Sequence, residues 1–283
     1  MNTPYHEYAK GYPKAIASIA ACLADSHLAK LEAIALRFAH ALEENTLDLK
    51  QGNEREFLCD ILVQATNEMF AMIGCLRNGA LLPSYHHTRS VLELYASLEH
   101  VYCAPAKRER KLEKFVEYPN VSKYLHSHSW QQQLSKGEIT NDQFIQGCAI
   151  SQNEFNDLKK RLTKWQRIWK LKDADPDIVK NWHYPATIRG LFESTAMTND
   201  FWTTYEIVSH ATHLSPLGRR LRGGQYLIGF PADSSGYDYK MINWPIVYSI
   251  LASQAIVSCL HETVRAGLIE GVLVYKPNDL RSD

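Results

Sequence analysis

Apolar residues recur at helical spacing through almost the whole of this 283-residue chain, and that period decides the fold class. From Pro13 to Asn45 the stripe runs through Ile16, Leu23, Leu28, Leu31, Ile34, Phe38 and Leu42, interrupted at Asp25-Ser26 by a turn or N-cap signal. A second amphipathic helix is expected from Asn53 to Asn78, with Phe57, Ile61, Leu62, Met69, Phe70 and Ile73 on its core face and Asn78-Gly79 as its stop. A third starts beside Pro83, whose missing N–H does no harm in a first turn, and runs to Tyr102. Only YLIGFPADSSGYDYKM, after Gly224, leaves the helical pattern. The spacing predicts an all-α helical bundle with a small irregular insertion near 223–242. Its expected parts are an N-terminal helical segment 1–52, a core bundle 53–267 and a tail 268–283.

Bulk properties remove several function classes. Hydrophobic residues make up 45% and charged residues 22%, ordinary globular usage that argues against disorder. Thirty-one Lys and Arg balance 31 Asp and Glu, so no whole-protein nucleic-acid footprint exists, although a local basic patch still fits. The six cysteines are scattered without a CxxC pair, which predicts reduced thiols in a cytoplasmic protein. MNTPYHEYAKGYPK is too polar for a signal peptide. The apolar run Trp244 to Leu260 is broken by Ser249, Ser253, Gln254 and Ser258, and reads as part of a core helix, Asn243 to Gly267, with no membrane contact. P-loop, GxGxxG, HExxH and GxSxG motifs are absent, and no cofactor is expected.

Two polar stripes stand out in this apolar background. The helix from Pro83 carries His86, Arg89, Glu93, Ser97 and His100 at spacings of three and four, with Arg89 and Glu93 one turn apart. The stretch FWTTYEIVSHATHLSPLGRR, read as a helix up to Pro216, lines up Tyr205, Ser209 and His213 at i, i+4 and i+8. Arg219, Arg220 and Arg222 follow at once. Buried polar groups seek one another, so Arg89, Glu93, Tyr205, Ser209 and His213 are expected to converge and are the candidate catalytic residues. The bland reading is that Arg89 and Glu93 only pair with each other. A metal on Glu93, His210 and His213, with His86 or His87, would have only one well-placed carboxylate, so no metal site is expected. Ser209 with His213 suggests a nucleophile and base, but residues at i and i+4 on one helix rarely align for in-line attack, and the sequence shows no oxyanion turn.

The block LKKRLTKWQRIWKLK, Leu158 to Lys172, interleaves cations with tryptophans. Lys164 and Trp165, with Arg219 and Arg220, are the candidate substrate-binding residues, because that mixture suits a phosphate backbone. A helix with tryptophans inward and lysines outward accounts for the same pattern. Ala104 to Gln133 is more polar and reads as peripheral, and DADPD at Asp173 to Asp177 reads as a hinge.

The segment RSVLE at Arg89 to Glu93, preceded by NGALL, and Trp182 followed by the Tyr205, Ser209, His213 line and SPLG together resemble a bacterial family, domain-of-unknown-function family 5677. The resemblance spans roughly Glu54 to Leu260. It implies an all-α fold in which the two segments face each other. Such helical proteins are also loosely similar to the HEPN superfamily of ribonucleases and RNA-binding modules, common in bacterial toxin and antiphage systems. That superfamily's arginine and histidine lie four to six residues apart. Here Arg77 to His86 and Arg89 to His100 are wider, and Arg37 to His40 is closer.

The functional expectation is a metal-independent RNA-cleaving or RNA-targeting toxin or effector of a bacterial antiphage defence system. His213 would be the base, and Arg89, or Arg219 and Arg220, the cation. Expected partners are RNA, a second copy of the chain and a partner protein of a defence operon. The alternative is a non-enzymatic binding or scaffolding module whose Arg/Glu/His cluster is a buried structural network.

Overall fold

The computed structural model describes residues 25–43, 52–78, 81–102, 104–171, 179–193, 205–206, 208–209, 226–227, 230–231 and 249. The expectations for the first 24 residues, the DADPD hinge, His210, His213, Arg219, Arg220, most of the helix Asn243 to Gly267 and the tail lie outside them. The chain is all-α. Its helices among the described residues are α1 (Asp25–Glu43), α2 (Asn53–Arg77), α3 (Leu81–Tyr102), α4 (Arg108–Ser135), α5 (Asn141–Cys148), α6 (Gln152–Lys160), α7 (Leu162–Trp169) and α8 (Ile188–Glu193), with a 3-10 turn at Pro105–Lys107. Inside the expected insertion a two-residue antiparallel pair sets Tyr226 opposite Pro231 and Leu227 opposite Phe230.

Two compact units divide these elements. One draws its described residues from 25–43, 58–102 and from 191 onward; the other from 52–57 and from 104 to 190. In the first unit the 3.6-residue period works as read: Leu31, Ala35, Phe38, Leu62, Ala65, Met69, Val91, Leu92 and Leu98 are all buried. Phe70 is the exception to the expected core face, at 37% exposed, because it follows the buried Met69 and so points 100° away from it. α1 is tied to α2 by Glu32 and Arg77 at 2.8 Å. α2 is tied to α3 by His87 Nδ1 and Glu68 Oε2 at 2.7 Å. Deeper in, Thr88 donates to the Ser84 carbonyl and Ser249 reaches Thr88 at 3.5 Å, so these buried hydroxyls are satisfied locally.

The second unit is built on α4, which its polarity marked as peripheral. α4 instead buries Leu112, Glu117, Val121, Tyr124 and Ser127. Its polar members enter the interior with partners, which composition does not reveal. Around it Phe144, Phe155, Leu158, Trp165 and Trp169 form one apolar cluster. α5 and α6 each start with a capping box, Thr140 with Gln143 and Ser151 with Glu154, which fixes where these short helices begin. Phe57, Phe115 and Trp182 meet edge to face at 4.8, 6.0 and 5.5 Å between ring centroids, a geometry worth about 0.5–1.5 kcal/mol per pair beyond area burial. Among the described residues no helix is long and apolar enough to cross a membrane.

Gly147, inside α5, is demanded by packing. A Cβ there would lie 2.4 Å from the Trp130 ring. Gly147→Ala is therefore expected to lower stability by about 1–3 kcal/mol, the usual cost of overpacking, despite alanine's better helix propensity. Thermal unfolding of the variant checks this. An unchanged or raised Tm would mean that the Trp130 ring yields at no cost.

Candidate functional site

Helical spacing on α3 places Arg89 and Glu93 one turn apart, and the structure joins them: Arg89 Nε donates to Glu93 Oε1 at 2.9 Å. The same oxygen accepts the Tyr205 hydroxyl at 2.8 Å, from 112 residues further along the chain. Arg89 also stacks on the Tyr205 ring, its guanidinium carbon 5.4 Å from the centroid. Tyr205 is buried, its ring 4.9 Å from that of Phe192, so an apolar body delivers a hydroxyl to the carboxylate. The charged pair is more open, with side chains 24% and 33% exposed for Arg89 and Glu93. Three of the five expected residues thus share one site. Ser209 is half-buried one helical turn beyond Tyr205.

The electrostatics follow from this geometry. Burial and then the Glu93 charge push the Tyr205 phenol up to about 12. At neutral pH Tyr205 is a hydrogen-bond donor and neither base nor nucleophile. Burial pulls the Arg89 guanidinium down, and the hydrogen bond and charge of Glu93 more than restore it, leaving it raised. The site therefore holds a fixed, partly solvent-facing cation, chemically suited to a phosphate or carboxylate.

The remaining expectations divide. His87 points to Glu68 on α2, and the His86 ring lies 5.9 Å from the His87 ring. Among the described residues no three His, Cys, Asp or Glu side chains gather as a metal site. Lys164 is committed to carboxylates, 2.6 Å from Glu117 and 3.6 Å from Glu113. Trp165 does not bind substrate at a surface: it is fully enclosed, and its Nε1 donates to Glu117 Oε2 at 3.0 Å. α7 is amphipathic, and Trp165, Ile168 and Trp169 make its inner face. Two pairings escaped the sequence reading, Glu68 with His87 and Glu117 with Lys164 and Trp165. Both join different helices, and local spacing carries no signal for either.

These features define an all-α protein with an arginine held by a carboxylate and a tyrosine. The model of a family of unknown function, DUF5677, matches residues 57–223, more than half of the chain, and the protein belongs to that family. The match takes in Arg89, Glu93, Tyr205, Ser209 and His213 together with Arg219 and Arg220. No curated protein and no solved structure matches the chain.

Tyr205 makes a titration test possible. In the folded state its proton is held up to about pH 12, whereas an unfolded phenol releases it near 10. Between those values the folded state binds more protons. The stability that the phenol contributes is complete below about pH 10 and is lost as the pH climbs toward 12. Tyr205→Phe is expected to cost about 1 kcal/mol at pH 7 and to flatten this alkaline loss. Denaturant unfolding of both proteins across the alkaline range checks it; identical slopes would show that Tyr205 does not keep its proton for Glu93.

Proposed function

We propose that the protein acts on RNA without a metal, as an RNA-cleaving or RNA-targeting effector of a bacterial antiphage defence system. One observation carries the reading: the Arg89 guanidinium is oriented by Glu93 and Tyr205 yet stays 24% exposed. Metal-independent RNA cleavage needs such a cation where phosphorane charge develops. In this reading His213 removes the 2′-hydroxyl proton, and the 2′-oxygen forms a bond to phosphorus as the bond to the 5′-oxygen breaks. The leaving oxygen takes up a proton, and a 2′,3′-cyclic phosphate remains. Glu93 and Tyr205 are positioning residues that hold Arg89. Arg219 and Arg220 attract the backbone. The defence setting rests on the resemblance to HEPN-like proteins. A homodimer belongs to the same reading, supported by Leu36, Val63 and Phe70, apolar side chains exposed in the first unit.

A second reading has its own support: both hydrogen bonds that Glu93 accepts come from inside the cluster, as in a network that only fixes helix register. Incubating wild type, Arg89→Lys and His213→Ala with total RNA in EDTA separates the two. The RNA reading expects cleavage by wild type, fragments ending in cyclic phosphate, and loss of at least roughly two decades of rate in folded His213→Ala. Wild type that neither cleaves RNA nor harms bacteria, with or without phage, would leave the structural network as the reading that stands.

A further inference from the structure

α4 and α7 run antiparallel, and a ladder of opposite charges joins them. Glu109, Glu113 and Glu117 occupy one stripe of α4, at i, i+4 and i+8, while Lys164 and Arg167 stand three apart on α7. One end of the ladder is closed. Glu117, only 5% exposed, accepts from Lys164 Nζ at 2.6 Å, Trp165 Nε1 at 3.0 Å and Arg161 Nη1 at 3.4 Å. Lys164 also approaches Glu113 at 3.6 Å. The next rung would join Glu109 to Arg167, and it is not made. Neither side chain has an ion pair or a hydrogen bond among the described residues. A cleft of about 480 Å³ opens there instead, lined by these two with Asn53, Arg110, Glu113 and Glu117. That volume falls within the range of small-molecule sites, about 300–1,000 Å³.

Both charges line the cleft. Glu109 and Glu113 of α4 are its acidic groups. Arg110, also on α4, lies across the end of α7, donating from Nε and Nη2 to the Ile168 carbonyl at 2.8 and 2.6 Å, and Arg167 of α7 is the second cation beside it. Lys114 beside it is lowered to about 8 by burial and then by Arg110, Lys111 and Lys170, so cations crowd this end. A polyanion would meet Glu109 and Glu113, and a bare cation would meet Arg110 and Arg167. A small molecule carrying both charges completes the rung.

We infer that this cleft binds a small zwitterion, of the chemical class of a free α-amino acid, with its carboxylate on Arg167 and its ammonium on Glu109. The site lies within the second unit and shares no residue with the Arg89 cluster, so it stands whether or not the protein acts on RNA.

The test is a thermal-shift and calorimetric screen of the full chain against the standard amino acids, followed by the des-amino acid and the decarboxylated amine of each one that binds. Inorganic phosphate serves as the anion control. At least one amino acid should raise Tm saturably, and each half-molecule should bind at least roughly tenfold more weakly. Glu109→Gln and Arg167→Gln change exposed side chains, so each should keep the unliganded Tm and lose affinity by a similar factor. Circular dichroism confirms the fold of both. The inference fails if no amino acid binds. It fails equally if binding survives Glu109→Gln, which would mark a simple anion site, or survives Arg167→Gln, which would mark a cation site. Phosphate binding as tightly as the best amino acid also overturns it.

Discussion

A carboxylate enters a helical interior only when donors come with it, because stripping its water costs several kcal/mol that the interior must return as hydrogen bonds and opposite charge. Each unit of this protein holds a carboxylate that gathers donors, half-open in the first and buried in the second. In the first, Glu93 gathers Arg89 from its own helix and Tyr205 from 112 residues away. In the second, Glu117 gathers Arg161, Lys164 and Trp165, all more than forty residues downstream. Apolar periodicity makes each helix possible. Glu117 then specifies which helices meet and in what register, since sliding α7 past α4 by a turn would strand its charge, whereas Glu93 keeps Arg89 on its own helix and would lose only the Tyr205 hydroxyl.

The two hubs differ in how far they are closed. Glu117 is buried and takes three donors, and the hydrogen bond and charge of Lys164 outweigh burial to leave its carboxyl below the usual range. Such a group is architecture. Glu93 receives both of its donors on one oxygen and stays a third exposed, and its cationic partner also faces solvent. A half-open pair contributes little to stability, of the order of 0.5 kcal/mol for an i,i+4 pair at a surface. Holding a guanidinium still costs side-chain entropy, and in this cluster Glu93 and the Tyr205 ring hold the cation in one orientation.

How much of this could be read from the residues depends on the distance over which each signal acts. The helices follow from the 3.6 period, and the breaks at Asn78-Gly79 and around Ala104 follow from turn chemistry. Arg89 with Glu93 is a one-turn signal, and Tyr205 joined them because a polar residue on an apolar stripe must find company. Beyond one helix the signal fades. The cations beside Trp165 fit either a surface contact or a helix with its tryptophans inward, and in the fold the indole turns in. The polarity of α4 points to the periphery, because Glu117 and Ser127 look solvated until their partners are known. Phe70 shows the converse, an apolar residue one step off the stripe and left outside.

The balance of 31 cations against 31 anions is likewise informative only once the pairs are drawn. The basic block on α6 and α7 promises a polyanion surface in one dimension. In three, Lys160 meets Asp157, and Arg161 and Lys164 meet Glu117. Attraction to a phosphate backbone grows with the number of cations that no carboxylate already neutralises. Three of the seven Lys and Arg residues from Lys159 to Lys172 are offset in this way. The pairing that closes the second unit therefore uses part of the charge that would otherwise attract a polyanion.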